Sequence, residues 1–138
     1  MKVFVDTSAW YAAADVDDRS HPRGADYLRR NAGNLVTSDH VLIETWFLAN
    51  ARLGYEVAER LISNIRTGVA VIEDAVAADL QVAAMIGETF ADQRFSIVDR
   101  TSWAIMQRLG IESAISFDRD FAVFRYGPDH RKAFTVLG

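Results

Sequence analysis

Four acidic residues lie at positions that are unusual for a solvent-exposed surface charge. Asp6 and Asp118 each follow a short apolar run, whereas Glu44 and Asp99 lie in segments with helical periodicity. Carboxylates gathered in one crevice repel one another and cannot all ionise unaided, and a divalent cation removes this conflict. Magnesium typically binds one or two carboxylates together with water and substrate phosphates, so four acids could hold two ions. The chemistry that this favours is hydrolysis of a phosphodiester by metal-activated water.

Glu44 has apolar neighbours on a predicted helix. At about 100° of rotation per residue, the side chains nearest to it are Val41, Phe47, Leu48 and Ala51. This pattern predicts that Glu44 is buried, and a buried carboxylate needs an ion partner, a metal or a raised pKa. An arginine from another helix is the alternative to a metal, because buried acids are most often paired in that way.

Asp99 is predicted to point inward for a similar reason. Its side of the helix is mostly apolar and carries Ser102, Trp103, Met106 and Leu109. The opposite side is polar and carries Arg100, Gln107 and Arg108. The alternative is that Asp99 is the N-cap of this helix, where the helix dipole favours a carboxylate. Position alone leaves both interpretations open.

Asp6 and Asp118 are predicted to lie at the carboxyl ends of strands. In an open parallel α/β sheet, the ligand-binding crevice is just beyond those ends. Each residue also has a simpler explanation. Asp6, which precedes Thr7 and Ser8, could be a helix N-cap, and Asp118 could be a turn former.

The elements that must position these acids alternate between short apolar strands and helices. Predicted strands cover residues 2–5, 35–37, 69–72, 113–117 and 134–137, the last as an edge strand. Predicted helices begin after Asp6 and then cover residues 19–31, 40–53, 56–66 and 76–91, with another from Asp99 to Gly110. Residues 118–126 are expected to form a loop or short helix. Such alternation indicates an α/β fold in three layers, with a parallel sheet of about four to five strands between helices.

Composition sets the remaining expectations. The 138 residues predict one domain, residues 1–138, with a substantial core. Cysteine is absent, which excludes disulfides, thiolate zinc sites and cysteine nucleophiles. No signal peptide or membrane span is predicted, so we expect a cytoplasmic protein. The formal charge of −4 argues against a nucleic-acid binder that relies on overall basicity, although four acids held around metal ions would leave the remaining surface close to neutral.

Four ordered motifs in this chain resemble the PIN domain family, and the single-domain VapC-type toxins within it. The motifs are Val5-Asp6-Thr7-Ser8-Ala9-Trp10, Ser38-Asp39-His40-Val41-Leu42-Ile43-Glu44, Ile97-Val98-Asp99-Arg100-Thr101-Ser102 and Ser116-Phe117-Asp118-Arg119-Asp120-Phe121. The resemblance covers essentially the whole chain. It implies a parallel-sheet α/β fold, a Mg²⁺- or Mn²⁺-dependent endoribonuclease and, for a toxin, a cognate antitoxin protein.

The resemblance also implies roles for particular residues. Asp6, Glu44 and Asp99 would be the main metal ligands, and Asp118 would be the fourth acid. Asp120 could take that place instead, because the Asp-Arg-Asp stretch leaves the alignment uncertain by two positions. Thr7 or Ser8 would supply a hydroxyl beside the metal. The RNA substrate could be single-stranded or structured, and the apolar surface of the helical hairpin favours a homodimer.

The sequence argues against two other functions and leaves two more open. A receiver domain needs a lysine near its phosphoryl site, and Lys2 and Lys132 are badly placed for it. A dehalogenase-type phosphatase needs an acid two residues after Asp6, where Ser8 stands. A PIN nuclease that processes RNA outside a toxin pair, and a module that binds RNA or protein without catalysis, both remain as alternatives.

Several aromatic and basic residues have two interpretations each. Trp10, Trp46 and Trp103 are predicted to be core residues, although Trp10 could line a base-stacking surface. The three histidines, His21, His40 and His130, lack ligand spacing and are predicted to be surface or packing residues. A basic group near Asp118 could guide an RNA backbone or be solvated surface, and it consists of Arg119, Arg125, Arg131 and Lys132.

Overall fold

A five-stranded parallel sheet forms the centre of the computed structural model, which describes residues 1–138. Its strands are β1 (Val3–Val5), β2 (Leu35–Ser38), β3 (Val71–Glu73), β4 (Ser113–Ile115) and β5 (Thr135–Leu137). They are ordered β3-β2-β1-β4-β5, and every neighbouring pair is parallel. The predicted α/β class, the parallel sheet and the edge position of the last strand are confirmed.

Seven α-helices flank this sheet. They are α1 (Thr7–Ala14), α2 (His21–Arg30), α3 (Asp39–Leu53), α4 (Tyr55–Asn64), α5 (Ala77–Thr89), α6 (Ile97–Leu109) and α7 (Asp120–Val123). A π-helical turn, Ile65–Val69, follows α4. None of the helices combines the length and the apolar character needed to cross a lipid bilayer. The bounds agree with the predicted ones to within two residues. Helix α6, for example, begins two residues before Asp99.

Strand β1 has the most buried position in the sheet. Val3, Phe4 and Val5 are completely inaccessible to solvent, because strands lie on both sides of β1 and helices cover both of its faces. The register places Val5 opposite Ile115 of β4. The residues that follow these two strands, Asp6 and Ser116, are therefore neighbours at the carboxyl edge of the sheet.

Aromatic side chains fill the core beneath α6. Trp103 stacks on Phe124 with a centroid distance of 4.2 Å and an interplanar angle of 5°, and Phe95 meets Trp103 edge to face at 4.8 Å. Trp10 is buried too, and its Nε1 donates a hydrogen bond to Thr37 Oγ1. Trp10 therefore has no face free for stacking on a base.

Trp46 does not belong to this core, so that prediction is wrong. It is half-buried and donates its Nε1–H to Glu59 Oε2 at 2.7 Å, on the outside of the α3–α4 hairpin. The buried residues of α3 are instead Val41, Leu42, Thr45 and Ala49. Because α3 carries apolar side chains around most of its circumference, periodicity could not identify which side faces the core.

Helix α6 is held in place from two directions. His40, at the start of α3, has Nδ1 at 2.6 Å from Ser38 Oγ and Nε2 at 3.1 Å from both the Val98 carbonyl oxygen and Ser102 Oγ. It is therefore a packing residue, as predicted. Arg100 donates to the carbonyl oxygens of Phe95 and Ala83, which ties α6 to α5.

An ion pair between Asp79 of α5 and Arg108 of α6 completes this contact. Asp79 is 2% exposed, and both of its oxygens accept hydrogen bonds from Arg108, at 2.9 and 3.0 Å. Arg108 itself is exposed, so the pair is buried only on the Asp79 side. Removing Arg108 would leave the buried Asp79 oxygens without these hydrogen bonds.

We expect Arg108→Ala to lower the free energy of unfolding by about 2 kcal/mol, because the buried Asp79 carboxylate loses its hydrogen-bond donor. The matched control is Arg29→Ala, which breaks the solvent-exposed pair with Asp26 and should change stability by less than about 0.5 kcal/mol. Urea titrations followed by circular dichroism measure both. Equal losses in the two variants would contradict the structural role assigned to Arg108.

Candidate active site

The four predicted acids line one cleft at the carboxyl edge of the sheet. This acidic cleft has a volume of about 430 Å³ and is lined by Asp6, Thr7, Ser8, Glu44, Leu48, Arg94, Ser96, Asp99, Asp118 and Asp120. Both candidates for the fourth acid are present, and only one lining residue is hydrophobic. The structure therefore brings these predicted residues together in one cleft.

Asp6 lies in the cleft at the end of β1 and is also the N-cap of α1, so both interpretations of this residue describe its position. Its Oδ2 accepts hydrogen bonds from Ser8 Oγ at 2.8 Å and from Ser116 Oγ at 2.9 Å. Ser8 Oγ in turn accepts the backbone N–H of Phe117 at 2.9 Å. The other carboxylate oxygen, Oδ1, is buried without any hydrogen-bond partner in the protein. An unpartnered buried oxygen is costly, which makes Oδ1 suitable for a ligand.

Asp99 is positioned by the first turn of α6. Ser96 caps this helix by accepting the backbone N–H of Asp99 at 3.1 Å, so Asp99 is not itself the N-cap. Its side chain is 5% exposed. Ser102, Trp103 and Met106 on the same side are also buried, as the helical pattern predicted.

Asp118 lies in the turn that follows β4, and Asp120 begins α7. The backbone N–H of Asp118 donates to Ser116 Oγ at 3.1 Å, and that of Asp120 donates to Asp118 Oδ1 at 2.9 Å. One carboxylate oxygen from each of Asp99, Asp118 and Asp120 lies within 4.8 Å of the others. These three acids form the tightest group in the acidic cleft.

Glu44 lies in the cleft for a different reason from the predicted one. It is half-buried, and of the apolar neighbours expected around it Phe47 is 63% exposed while Leu48 lines the acidic cleft beside it. The prediction that Glu44 occupies a buried apolar face is therefore wrong. It stands on the side of α3 that turns from the core toward the cleft.

Burial and mutual repulsion hold protons on these acids. Burial raises the pKa of Asp6 to about 6, against the opposing effect of the Ser8 and Ser116 hydroxyls. Burial, followed by the charges of Asp6 and Asp118, raises the pKa of Asp99 far above its usual range. Burial and the neighbouring Asp118 charge raise the pKa of Asp120. A positive charge in the cleft would reverse these shifts.

The residues present fit a divalent cation on three observations. Three carboxylate oxygens approach one another, Asp6 Oδ1 lacks a partner, and all of the acidic ligand atoms are hard oxygens of the kind that magnesium and manganese prefer. The Thr7 hydroxyl, also buried without a partner, lines the same cleft. Because Ser8 Oγ is already engaged by Asp6 and Phe117, Thr7 is the freer of the two predicted hydroxyls.

Basic side chains around the cleft differ from those predicted. The acidic cleft is not lined by Arg119, Arg125, Arg131 or Lys132. The Arg125 guanidinium donates to three carbonyl oxygens of its own chain, those of residues 122–124. Arg94, which the sequence did not single out, is the basic residue in the lining. Ser116, also missed, supports Asp6 and Asp118, and no sequence pattern distinguishes it from an ordinary strand serine.

Comparison with known proteins identifies the family. The PIN domain family model matches residues 3–125, which is most of the chain. The chain belongs to the PIN domain family. Relatives of this PIN domain include a protein of Mycobacterium tuberculosis named 23S rRNA-specific endonuclease VapC20, which is 38% identical over 121 residues, or 87% of this chain and 92% of that protein. Ribonuclease VapC26 of the same organism is 26% identical over 136 residues, or 98% of this chain and 99% of its own.

The fold of this PIN domain also matches a solved structure. The crystal structure of Mycobacterium tuberculosis VapC20, described as a sarcin-ricin loop cleaving toxin, aligns with a TM-score of 0.84. The two are 32% identical in that alignment, which covers 88% of this chain and 94% of the other. The sequence and the fold thus agree on the same group of PIN domains.

In metal-free solution, we expect the stability of this protein to fall as the pH rises. The folded state raises the pKa of Asp6 from 3.8 to about 6, so it holds the proton more tightly than the unfolded chain does. The stabilisation is complete below pH 3.8 and is lost as the pH rises through about 6, a change of roughly 3 kcal/mol. The raised pKa of Asp99 extends the loss to higher pH. Urea titrations in EDTA from pH 3 to pH 9 measure it.

Asp99→Asn isolates this effect. Asparagine does not ionise, so the variant avoids the cost of either keeping this carboxyl protonated or charging it among the other acids. At pH 8 in EDTA the variant should therefore be more stable than the wild type and should lose less stability as the pH rises. Asp17→Asn replaces an exposed acid outside the cleft and should leave the slope unchanged. If Asp99→Asn destabilised the protein at pH 8, mutual repulsion in the cleft would not be its dominant electrostatic feature.

Proposed function

We propose that residues 1–138 act as one PIN domain and that this domain is a Mg²⁺- or Mn²⁺-dependent endoribonuclease. The observation that carries the proposal is the acidic cleft, in which Asp99, Asp118 and Asp120 approach within 4.8 Å beside the unpartnered Oδ1 of Asp6. Structural ion pairing does not account for these acids, because none of them forms a salt bridge with a basic side chain. Their arrangement is suited to hold a cation.

Each residue has a distinct part in this proposal. Asp6, Asp99 and Asp118 would hold the ion, Glu44 would contribute from the α3 side, and Asp120 would complete the set. A divalent cation held there supplies activation of a water nucleophile and stabilisation of the leaving oxygen. The hydroxyls of Ser8 and Ser116 fix the orientation of the Asp6 carboxylate. Asp99 and Asp6 give up their protons when the ion binds, so occupancy falls at low pH.

RNA is the proposed substrate, with 23S ribosomal RNA the first target to test. The relative VapC20 is named a 23S rRNA-specific endonuclease, and its crystal structure is described as that of a sarcin-ricin loop cleaving toxin. An identity of 38% over most of both chains supports the transfer of the reaction class and of this target.

The proposal extends to the cellular setting of the enzyme. We place it in the cytoplasm, as the toxin of a toxin–antitoxin pair that is inhibited by a cognate antitoxin. A homodimer is proposed because large apolar side chains on α3 and α5 are exposed, among them Ile43, Phe47, Leu80 and Met85. Light scattering of the purified chain tests the homodimer, and a monomeric mass at micromolar concentration would refute it.

Purified protein should cleave 23S rRNA in intact ribosomes when Mg²⁺ or Mn²⁺ is present, and EDTA should stop the reaction. Asp99→Asn should lower the cleavage rate by about a thousandfold or more, because it removes a negatively charged ligand while the fold is retained. Primer extension across the RNA maps the cut, and Asp17→Asn is the matched control. Cleavage that continued in Asp99→Asn would refute the proposed site.

Single substitutions at Asp118 and Asp120 decide which of them is the fourth acid. The charge of Asp118 acts on Asp6, on Asp99 and on Asp120, whereas Asp120 interacts chiefly with Asp118. We therefore expect Asp118→Asn to slow cleavage about tenfold more than Asp120→Asn does. Asparagine can still accept the Asp120 N–H at position 118, so the turn is preserved. The reverse order of rates would assign the role to Asp120.

A further inference from the structure

Arg94 is the basic side chain that lines the acidic cleft, opposite five carboxylates that line it too. Its side chain is exposed and forms no salt bridge and no hydrogen bond within the protein. An arginine that served only to neutralise these acids would be paired with one of them. The guanidinium of Arg94 is therefore available to a ligand.

The backbone of Arg94 is in a disfavoured conformation. Its φ of 53° places it in the left-handed region, which only one other non-glycine residue, His130, adopts in this chain. Arginine does not prefer this region, and such strain persists only where the surrounding structure imposes it. Strained residues of this kind are concentrated at functional sites.

The loop that carries Arg94 is fixed on both sides. Phe90 and the buried Phe95 pack with their ring centroids 6.0 Å apart, and the Gln93 N–H donates to the Phe90 carbonyl oxygen at 2.9 Å. The Phe95 carbonyl oxygen accepts Nε of Arg100 at 3.0 Å. These contacts hold Arg94 between two aromatic anchors.

The same loop leads directly to the acids. Ser96, two residues after Arg94, also lines the cleft and caps the helix whose first turn carries Asp99. The position of Arg94 is thereby coupled to that of Asp99. A phosphate bound by the guanidinium would be held next to the carboxylates and not at a remote part of the surface.

We propose that Arg94 binds a phosphate of the RNA backbone adjacent to the bond that is cut, and that its left-handed backbone keeps the guanidinium at the cleft. This rests on the proposed ribonuclease function. A cleft lined by five carboxylates repels a polyanion, and one unpaired arginine at its wall supplies the fork-shaped donor that phosphate oxygens match. The residue is thus a substrate-binding residue, distinct from the acids that would hold the ion.

The test uses three substitutions of Arg94. Arg94→Gly and Arg94→Asn remove the charge and tolerate a positive φ. Arg94→Lys keeps the charge but lacks the planar, bidentate donor geometry of the guanidinium. Arg30→Ala, an exposed arginine on α2 that pairs with Asp26, controls for general charge. His130→Gly controls for relief of the same backbone conformation elsewhere.

Cleavage of 23S rRNA is measured at ribosome concentrations well below KM, together with Tm. We expect Arg94→Gly and Arg94→Asn to lower kcat/KM at least about tenfold, Arg94→Lys to retain part of it, and both controls to match the wild type. The Tm of Arg94→Gly should equal or exceed that of the wild type. Activity would then fall without any loss of stability.

Binding of a single-stranded RNA oligonucleotide provides the second readout, with all proteins carrying Asp99→Asn to prevent cleavage. Losing one phosphate contact should reduce the slope of log Kd against log salt by about 0.7 in Arg94→Gly, and by nothing in Arg30→Ala. An unchanged slope, or unchanged cleavage in Arg94→Gly, would overturn the assignment. A fall in Tm that paralleled the loss of activity would also overturn it, because Arg94 would then be a structural residue.

The two proposals fail in distinguishable ways. If wild-type protein cleaved no RNA with either metal, the ribonuclease function itself would be refuted. If the wild type cleaved and Arg94→Gly cleaved equally well, only the role of Arg94 would be refuted.

Discussion

Repulsion among carboxylates in a poorly solvated cleft is the constraint on which the rest of this structure depends. Burial first, and then the neighbouring carboxylates, raise the pKa of Asp6 and of Asp99, so their charged states are unfavourable without a counter-ion. A free chain would separate these groups. The fold must therefore hold them together with interactions that lie outside the cleft and that are strong enough to offset the repulsion.

Those interactions come from two layers behind the site. Strand β1 is completely buried, so the backbone that delivers Asp6 is fixed by hydrogen bonds on both sides. Helix α6 rests on stacked aromatic rings and is tied to α5 through Arg100 and Arg108. Asp6 and Asp99 thus project from firmly held elements, which keeps this part of the ligand set from relaxing.

The sequence predicted the strand and helix order well, because short β-branched runs and glycine-terminated helices are local signals. It also predicted which acids meet, since the ends of parallel strands share one edge. The sequence placed Glu44 in the acid cluster but predicted a buried apolar environment that the structure does not have, because a helix that is apolar on most sides does not reveal which side is buried. Trp46 was misplaced for the same reason. Arg94 was missed because its backbone conformation is imposed by tertiary packing around Phe95, and nothing in the local sequence records it.

The hydrogen bonds that orient Asp6 join segments that are far apart in the chain. Ser8 and Ser116 both bind its carboxylate, across a separation of 110 residues between Asp6 and Ser116. Strand β4 must therefore be synthesised and paired with β1 before the carboxylate acquires its orientation, and contacts of such long range form late in folding. A nascent chain that has not reached β4 lacks both Ser116 and Asp118. For a protein proposed to cut ribosomal RNA, the ribosome that makes it meets only an incomplete site until β4 and Asp118 have been synthesised.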